Sequence, residues 1–294
     1  MACLYLEPPL ALTQLALLEP GDTGVRLLDL NITGAPGHHV PEQASFGPEL
    51  DSWRKACGIP RPSSASRASV LGATVCRALL NHAGWTPSRL GIASASTTSA
   101  TWCAVDFDSR GLTEGWHAVN PLLLPSTLPS ALPTQIAMAL GAQGCVLAFE
   151  TGLLGVFHAL EAAALSLLRG DADTMLVVAA DECSAVQREA HQALHQRPPP
   201  AEFCGAMAMA RDLGNGLKLR FISYSGDDTA MLPDGWDAAP RYVAQAPAFP
   251  PSMQNGAALR AIAQAAQAHH ARALVIGQAP RLGCATIGVE WQAC

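Results

Sequence analysis

Charge is scarce in this chain of 294 residues: Asp, Glu, Lys and Arg make up 14%, against 49% hydrophobic residues. A chain so poor in charge and rich in apolar side chains is not a disordered one; it can bury a large core, in one large domain or two smaller ones. Aromatics are also few, at 5%, and the apolar content is mostly Ala, Leu and Val. That bias favours close-packed helices on buried strands, as in α/β folds. The net charge is −6 with no basic run, which excludes a nucleic-acid or anionic-membrane footprint. No stretch reaches the roughly 18 consecutive apolar residues of a membrane span. The phosphate-binding P-loop pattern, the dinucleotide glycine fingerprint and the G-x-S-x-G elbow are all missing. None of the nine cysteines forms C-x-x-C, so zinc ribbons and dithiol redox pairs are unsupported. Cysteines scattered singly through apolar runs read as buried, reduced thiols, which places the chain in the cytoplasm. Nothing here calls for a metal or a cofactor.

The N-terminal stretch MACLYLEPPLALTQLALLEPGD is apolar but lacks a basic start, and reads as a first strand and helix rather than a signal peptide. Ser66 to Ala83 has helical spacing, with Gly84 as its stop and Pro87 beyond. RLGIASAS is a short strand of small residues, and the region after it accommodates a helix around Ala100–Ser109. Pro121, Pro125, Pro129 and Pro133 then exclude regular helix until Thr134, after which Gln135–Leu140 forms one. Cys145–Phe149 is a strand, Gly152–Arg169 a long apolar helix, and ADTMLVVAADE a second strand too uniformly apolar for a one-sided sheet. Strand, helix and strand across Cys145–Ala180 make a crossover unit, hence parallel strands. HQRPPPAEF is a loop; CGAMAMARD and KLRFISYSG are strands joined as a hairpin around Gly214, Asn215 and Gly216. Gly226 to Pro251 is irregular, followed by the helix NGAALRAIAQAAQAHH and two strands, RALVIGQ and CATIGVEWQ. No repeat of solenoid length is present.

Chemically suggestive residues are few. His191 and His195 share a helical face but lack a third ligand, so a metal site is not supported. His269 and His270 close a helix, where their charge suits the dipole. His158 lies in an apolar helix as a core histidine. Asp181 and Glu182 end a buried strand, where position permits catalysis but local capping explains them equally. Glu150 stands at a helix N-terminus, which favours a carboxylate by about 0.3–1 kcal/mol.

The run NPLLLPSTLPSALPTQIAMALGAQG, then strand, turn and helix, then LRGDADTMLVVAADE, then FCGAMAMAR, resembles the N-terminal half of β-ketoacyl-acyl carrier protein synthases. The resemblance covers roughly Ser66 to Arg211. It implies the thiolase-like α/β fold, layered α-β-α-β-α, with residues 1–225 as the ketosynthase-like half and 226–294 as a shortened C-terminal half. It also implies where a nucleophile belongs. With Gly152 as the elbow glycine, the family's cysteine falls on Phe149; a shift of one residue places it on Glu150. Neither is a thiol, and neither does a thiolate's work. The family's two C-terminal histidines are missing too: there is no His-Gly-Thr-Gly-Thr loop, and Gln254 and Asn255 stand near the position of the second.

The resemblance therefore implies a catalytically silent subunit, similar to the chain-length factors of type II polyketide and aryl polyene synthases. Such a subunit pairs with an active ketosynthase as a heterodimer and meets acyl carrier protein, and its acyl chain, through that partner. The strand Cys145–Phe149 would lie at the interface, apolar enough to be buried on both sides. Bulky residues before the proline-rich run, Trp102, Phe107 and Trp116, are the candidate tunnel stops. Two other readings stay open: an active acyltransferase using another cysteine, Cys145 or Cys204, and a homodimeric acyl-binding scaffold.

Overall fold

Why do ten strands from this chain join into one ladder? In the computed structural model, which describes residues 2–18, 26–29, 49–59, 65–83, 85–195, 202–211, 216–226, 232–244, 254–268, 270–279 and 283–292, the first strand is the joint. β1 (Ala2–Leu18) runs for 17 residues. Its first part pairs antiparallel with β7 (Gly216–Ser225), and its second part with β6 (Phe203–Ala210). The register breaks between Tyr5 and Leu10, around Pro8 and Pro9, which bring no N–H to a ladder. Those prolines also explain why the expected strand-then-helix start is instead a single strand. β2 (Arg26–Asp29) pairs with Gln14 to Leu17 of β1.

The nine-strand path runs β4-β3-β5-β6-β1-β7-β10-β9-β8. Here β3 is Leu90–Ala95, β4 Val146–Phe149, β5 Thr174–Asp181, β8 Arg241–Ala244, β9 Arg272–Ala279 and β10 Gly283–Gln292. β3 pairs parallel with both β4 and β5. The crossover is thus parallel as expected, with β3 inserted between its two strands. The hairpin expected between CGAMAMARD and KLRFISYSG does not form, because β1 lies between β6 and β7 and takes their inner edges.

The path repeats itself. In one half β5 and β6 form an antiparallel pair, β1 follows β6, and β3 lies parallel to β5. In the other β9 and β10 form an antiparallel pair, β7 follows β10, and β8 lies parallel to β9. Among the described residues the second half has no counterpart of β4. β8 itself falls inside the segment expected to be irregular; four residues among Asp, Pro and Gly leave too short a pattern to read.

Helices fill the layers. α2 (Arg67–Ala83) and α4 (Ala131–Leu140) cover one face of the first half, packing Leu71, Val75, Leu79, Leu132 and Ile136 on Leu176 and Val178 of β5. α4 starts three residues before Thr134 with Pro133 in its first turn, where a missing N–H costs nothing. α5 (Gly155–Arg169) and α7 (Gln254–Gln267) lie between the two halves, and Phe157, Leu160 and Ile262 meet Val177 on one side and Val275 on the other. The sequence Gly152–Arg169 is long and apolar enough to cross a membrane, yet this is the helix that packs on β3 and β5. Outside the second half, among the described residues, the covering layer is a turn segment carrying Trp236 on Phe221, Leu274 and Ile276. The remaining helices are α1 (Glu49–Ala56), α3 (Thr101–Glu114) and α6 (Ala185–His195).

β4 is an edge strand of the single chain, and its apolar side chains alternate between exposed (Val146, Ala148) and half-buried (Leu147, Phe149).

Candidate functional site

The turn from β4 into α5 lies at the carboxyl ends of the parallel strands, where open α/β sheets place their ligands. Phe149 is the last strand residue, and its carbonyl accepts the Ser96 N–H at 3.0 Å. Glu150 and Thr151 follow, and Gly152 opens a short 3-10 turn at φ +58°. The turn's positive φ thus falls on a glycine, which adopts it without steric cost. Around it the available groups are the Glu150 carboxyl and the Thr151 hydroxyl, which lies 2.7 Å from His158 Nδ1. His158 stacks on Tyr224 with ring centroids 5.0 Å apart, and burial lowers its pKa, so the ring is neutral near pH 7. It is a partnered histidine of the helix, as the sequence suggests.

Beneath the turn lies Asp181, wholly buried at the end of β5. One of its oxygens accepts the Ser96 hydroxyl at 3.0 Å and the N–H groups of Thr97 and Thr98 at 2.6 and 3.2 Å. The other accepts the Asn255 side-chain amide at 3.3 Å. Asn255 also donates to the Thr97 hydroxyl at 3.2 Å. Burial raises the Asp181 pKa, and these donors only partly offset it. Burial, then the charge of Asp181, pushes Glu150 up as well. Asn255 starts α7 and comes to the elbow itself: a Cβ on Gly155 would stand 2.8 Å from its Oδ1. Asn255 thus joins Asp181, Thr97 and the start of α5 in one buried cluster. The loop Ser96–Ser99 is not among the sequence candidates; its signal is STTS, four hydroxyl residues directly after a buried strand.

Strand alternation sends Glu182 the other way. Its oxygens accept the N–H groups of Trp102 at 2.9 Å and Ala68 at 3.4 Å, at the starts of α3 and α2. Burial pushes its pKa from the usual 4.5 to about 8 despite both donors. Beside it Glu202, also fully buried, takes two N–H groups of Arg67 at 2.6 and 2.9 Å.

The three bulky candidates separate. Phe107 and Trp116 pack together with ring centroids 6.1 Å apart, and Trp116 lies against Gly111, where a Cβ would come within 2.5 Å of its ring. Trp102 instead lines a groove of about 440 Å³ with Leu50, Val70, Arg67 and Arg188. Neither Cys145 nor Cys204, the alternative nucleophiles, belongs to the turn. Cys145 is at the far end of β4, about 13 Å along a strand from Phe149, with its Sγ 3.6 Å from Met175 Sδ. Cys204 is buried in β6, and burial raises its thiol well above the ordinary range, as it also raises Cys103 to about 11 and Cys183. Such thiols are poor nucleophiles. Among the described residues no group of His, Cys, Asp and Glu forms a metal cluster. The side chains of His191 and His195, and His269, lie outside the described residues; His270 packs beside Tyr242 at 6.5 Å.

With this geometry in place, the comparisons are specific. The sequence pattern of the β-ketoacyl synthase N-terminal domain matches residues 36–212, more than half of the chain. A comparison with curated protein sequences finds no match. Among solved structures, the ishigamide ketosynthase/chain length factor is similar at a TM-score of 0.70 and 16% identity, over 97% of this chain and 100% of that one. A type II polyketide synthase acyl-carrier protein in complex with its ketosynthase bound to the hexaketide gives 0.70 at 11% identity, over 97% and 99%. A ketosynthase in complex with its chain length factor, from Xenorhabdus doucetiae, gives 0.58 at 12%, over 96% and 99%. At these identities the likeness is one of fold, that of the thiolase-like ketosynthases.

Proposed function

The chain belongs to the β-ketoacyl synthase family, and on that premise we propose that it is a non-catalytic subunit, a chain-length factor, that pairs with an active ketosynthase and shapes its acyl tunnel. The observation that carries this reading is the elbow: between Phe149 and Gly152 it offers a carboxylate and a hydroxyl but no thiol. Condensation through an acyl-enzyme needs a thiolate there, and Asn255 replaces the expected imidazole.

The surface supports a partner. Among the described residues β4 leaves one edge unpaired, with Val146 on it 40% exposed. Leu112 and Trp116 on and after α3, Leu122, Leu124 and Leu128 in the proline-rich turns, and Met138 on α4 are all exposed on neighbouring elements. An apolar surface of this kind beside an open strand is a cost for a lone subunit and marks an interface. Sheet extension from β4 into the same strand of a ketosynthase would satisfy both features. Two of the similar structures hold a ketosynthase together with a chain length factor, and acyl carrier protein would then be met through the partner. Phe107, Trp116 and Trp102 would limit the space for a growing chain, since overfilling a packed site costs about 1–3 kcal/mol.

Co-expression with the ketosynthase encoded beside it tests the proposal. A stable one-to-one complex is expected, and Phe107→Ala or Trp102→Ala in that complex should shift products to longer chains. A chain that is monodisperse alone and ignores the synthase sinks the pairing; an unchanged product profile removes these residues from tunnel control.

A further inference from the structure

The groove beside Trp102 sets charged side chains next to apolar ones. It opens at the carboxyl end of β5, on the α2 face of the sheet, opposite the elbow. Three arginines line it, and two are already committed. Arg54 gives Nε and Nη2 to Asp51 at 3.0 and 2.6 Å and Nη1 to the Ile59 carbonyl. Arg67 is held in a two-pronged pair with buried Glu202. Arg188 differs: it donates Nη1 to the Cys183 carbonyl at 2.7 Å and interacts with the Cys183 side chain, and among the described residues it forms no ion pair. The carboxylate in the wall, Asp51, is engaged by Arg54 and by Lys55 at 2.6 and 2.8 Å, and Glu182, which caps α2 and α3 behind the groove, is pushed by burial to a pKa of about 8. The helix starts around the groove are taken as well, α2 and α3 by Glu182, and α6 by Ser184 and Gln187, which cap each other at 2.6 and 3.2 Å. What remains is one guanidinium with spare N–H groups and, facing the same space, Trp102 (42% exposed), Leu50 and Val70.

We propose that this groove binds a small organic anion, its charged end on the Arg188 guanidinium and its apolar body against Trp102, Leu50 and Val70. Guanidinium suits carboxylate and phosphate equally, through paired N–H donors, and an indole face suits an apolar or unsaturated body. The proposal concerns the ligand and not the pairing with a ketosynthase: an anion site can exist on a chain that pairs with nothing, and pairing can occur with the groove empty.

Titration calorimetry on the full chain, co-purified with its synthase where it requires one, tests this with octanoate, octyl phosphate, octanol and inorganic phosphate. Octanoate or octyl phosphate should bind about tenfold or more tightly than octanol, as a charge-assisted hydrogen bond implies. The tighter of the two identifies the head group. Arg188→Gln should erase that preference, Arg188→Lys should retain part of it, and Trp102→Ala should weaken all three octyl ligands while the thermal melt stays unchanged. Octanol binding as well as octanoate, inorganic phosphate binding as well as octyl phosphate, no binding by any of the four, or an unaffected Arg188→Gln would each overturn the proposal.

Discussion

Asp181 and Glu182 are neighbours on one strand, and the twofold period of a strand sends their carboxyls to opposite faces. Asp181 supports the elbow; Glu182 backs the Trp102 groove. Both are raised by burial, so the folded state holds protons that the unfolded chain would release. The sign follows: stability from these groups is complete below the ordinary carboxylate range and falls as pH climbs, for Glu182 from about 4.5 to about 8. Thermal melts of the native chain should therefore decline across that window, and Glu182→Gln should flatten the decline, with the part owed to Asp181 remaining. An unchanged slope in Glu182→Gln would show that its carboxyl titrates normally. The sequence placed both residues at the end of a buried strand but left their role open between capping and catalysis. Which backbone amides and which amide side chain converge on them depends on contacts 74 to 114 residues apart, and no local pattern carries that. The elbow was legible as chemistry, because no residue in its turn is a thiol. Its geometry was not: the position of positive φ, Gly152, is a matter of backbone conformation. Gly111 is a further case, since its close approach to Trp116 is a tertiary fact. Gly111→Ala should displace Trp116, and the matching measurement is a shift in tryptophan emission together with longer products from the paired complex.

Among the elements, β4 gives the sharpest test. The carbonyls of Cys145, just before it, and of its own Phe149 accept from Ile92 of β3 and from Ser96 just after β3, so the alternate residues Val146 and Ala148 direct their backbone groups outward. Ala148→Pro should leave the inner ladder intact and remove an outward donor. Binding to the ketosynthase, followed by size-exclusion chromatography, should be lost while the circular dichroism spectrum holds; a surviving complex would move the interface elsewhere. The helices and most strands were legible, because a 3.6-residue apolar period and uniformly apolar runs are local signals. Pairing was not. CGAMAMA and LKLRFISYS both read correctly as strands, yet the N-terminal strand separates them. Only the alternation of VLAF between exposed and half-buried positions distinguishes an edge from a centre, and an apolar run of four hides it.

At the scale of the molecule, α5 ties the halves together. Phe157 is fully buried and packs where Gly277 of β9 leaves no room for a Cβ. The resemblance implies halves at 1–225 and 226–294 in one compact domain, whereas the repeat in the sheet puts β7 (Gly216–Ser225) with the second half; the single domain is the part put to test. If the chain is one domain, Phe157→Ala should cost about 3–5 kcal/mol and lower one cooperative denaturant transition seen by probes in both halves. Two separated transitions would mean that the halves fold independently.

Intact-mass spectrometry of the purified complex after incubation with an acyl-carrier-protein thioester bears most directly on the chain being a partner rather than a catalyst. The acyl mass should appear on the ketosynthase alone, with this chain unmodified. A stoichiometric acyl adduct on this chain, whether in the complex or by itself, would contradict the account.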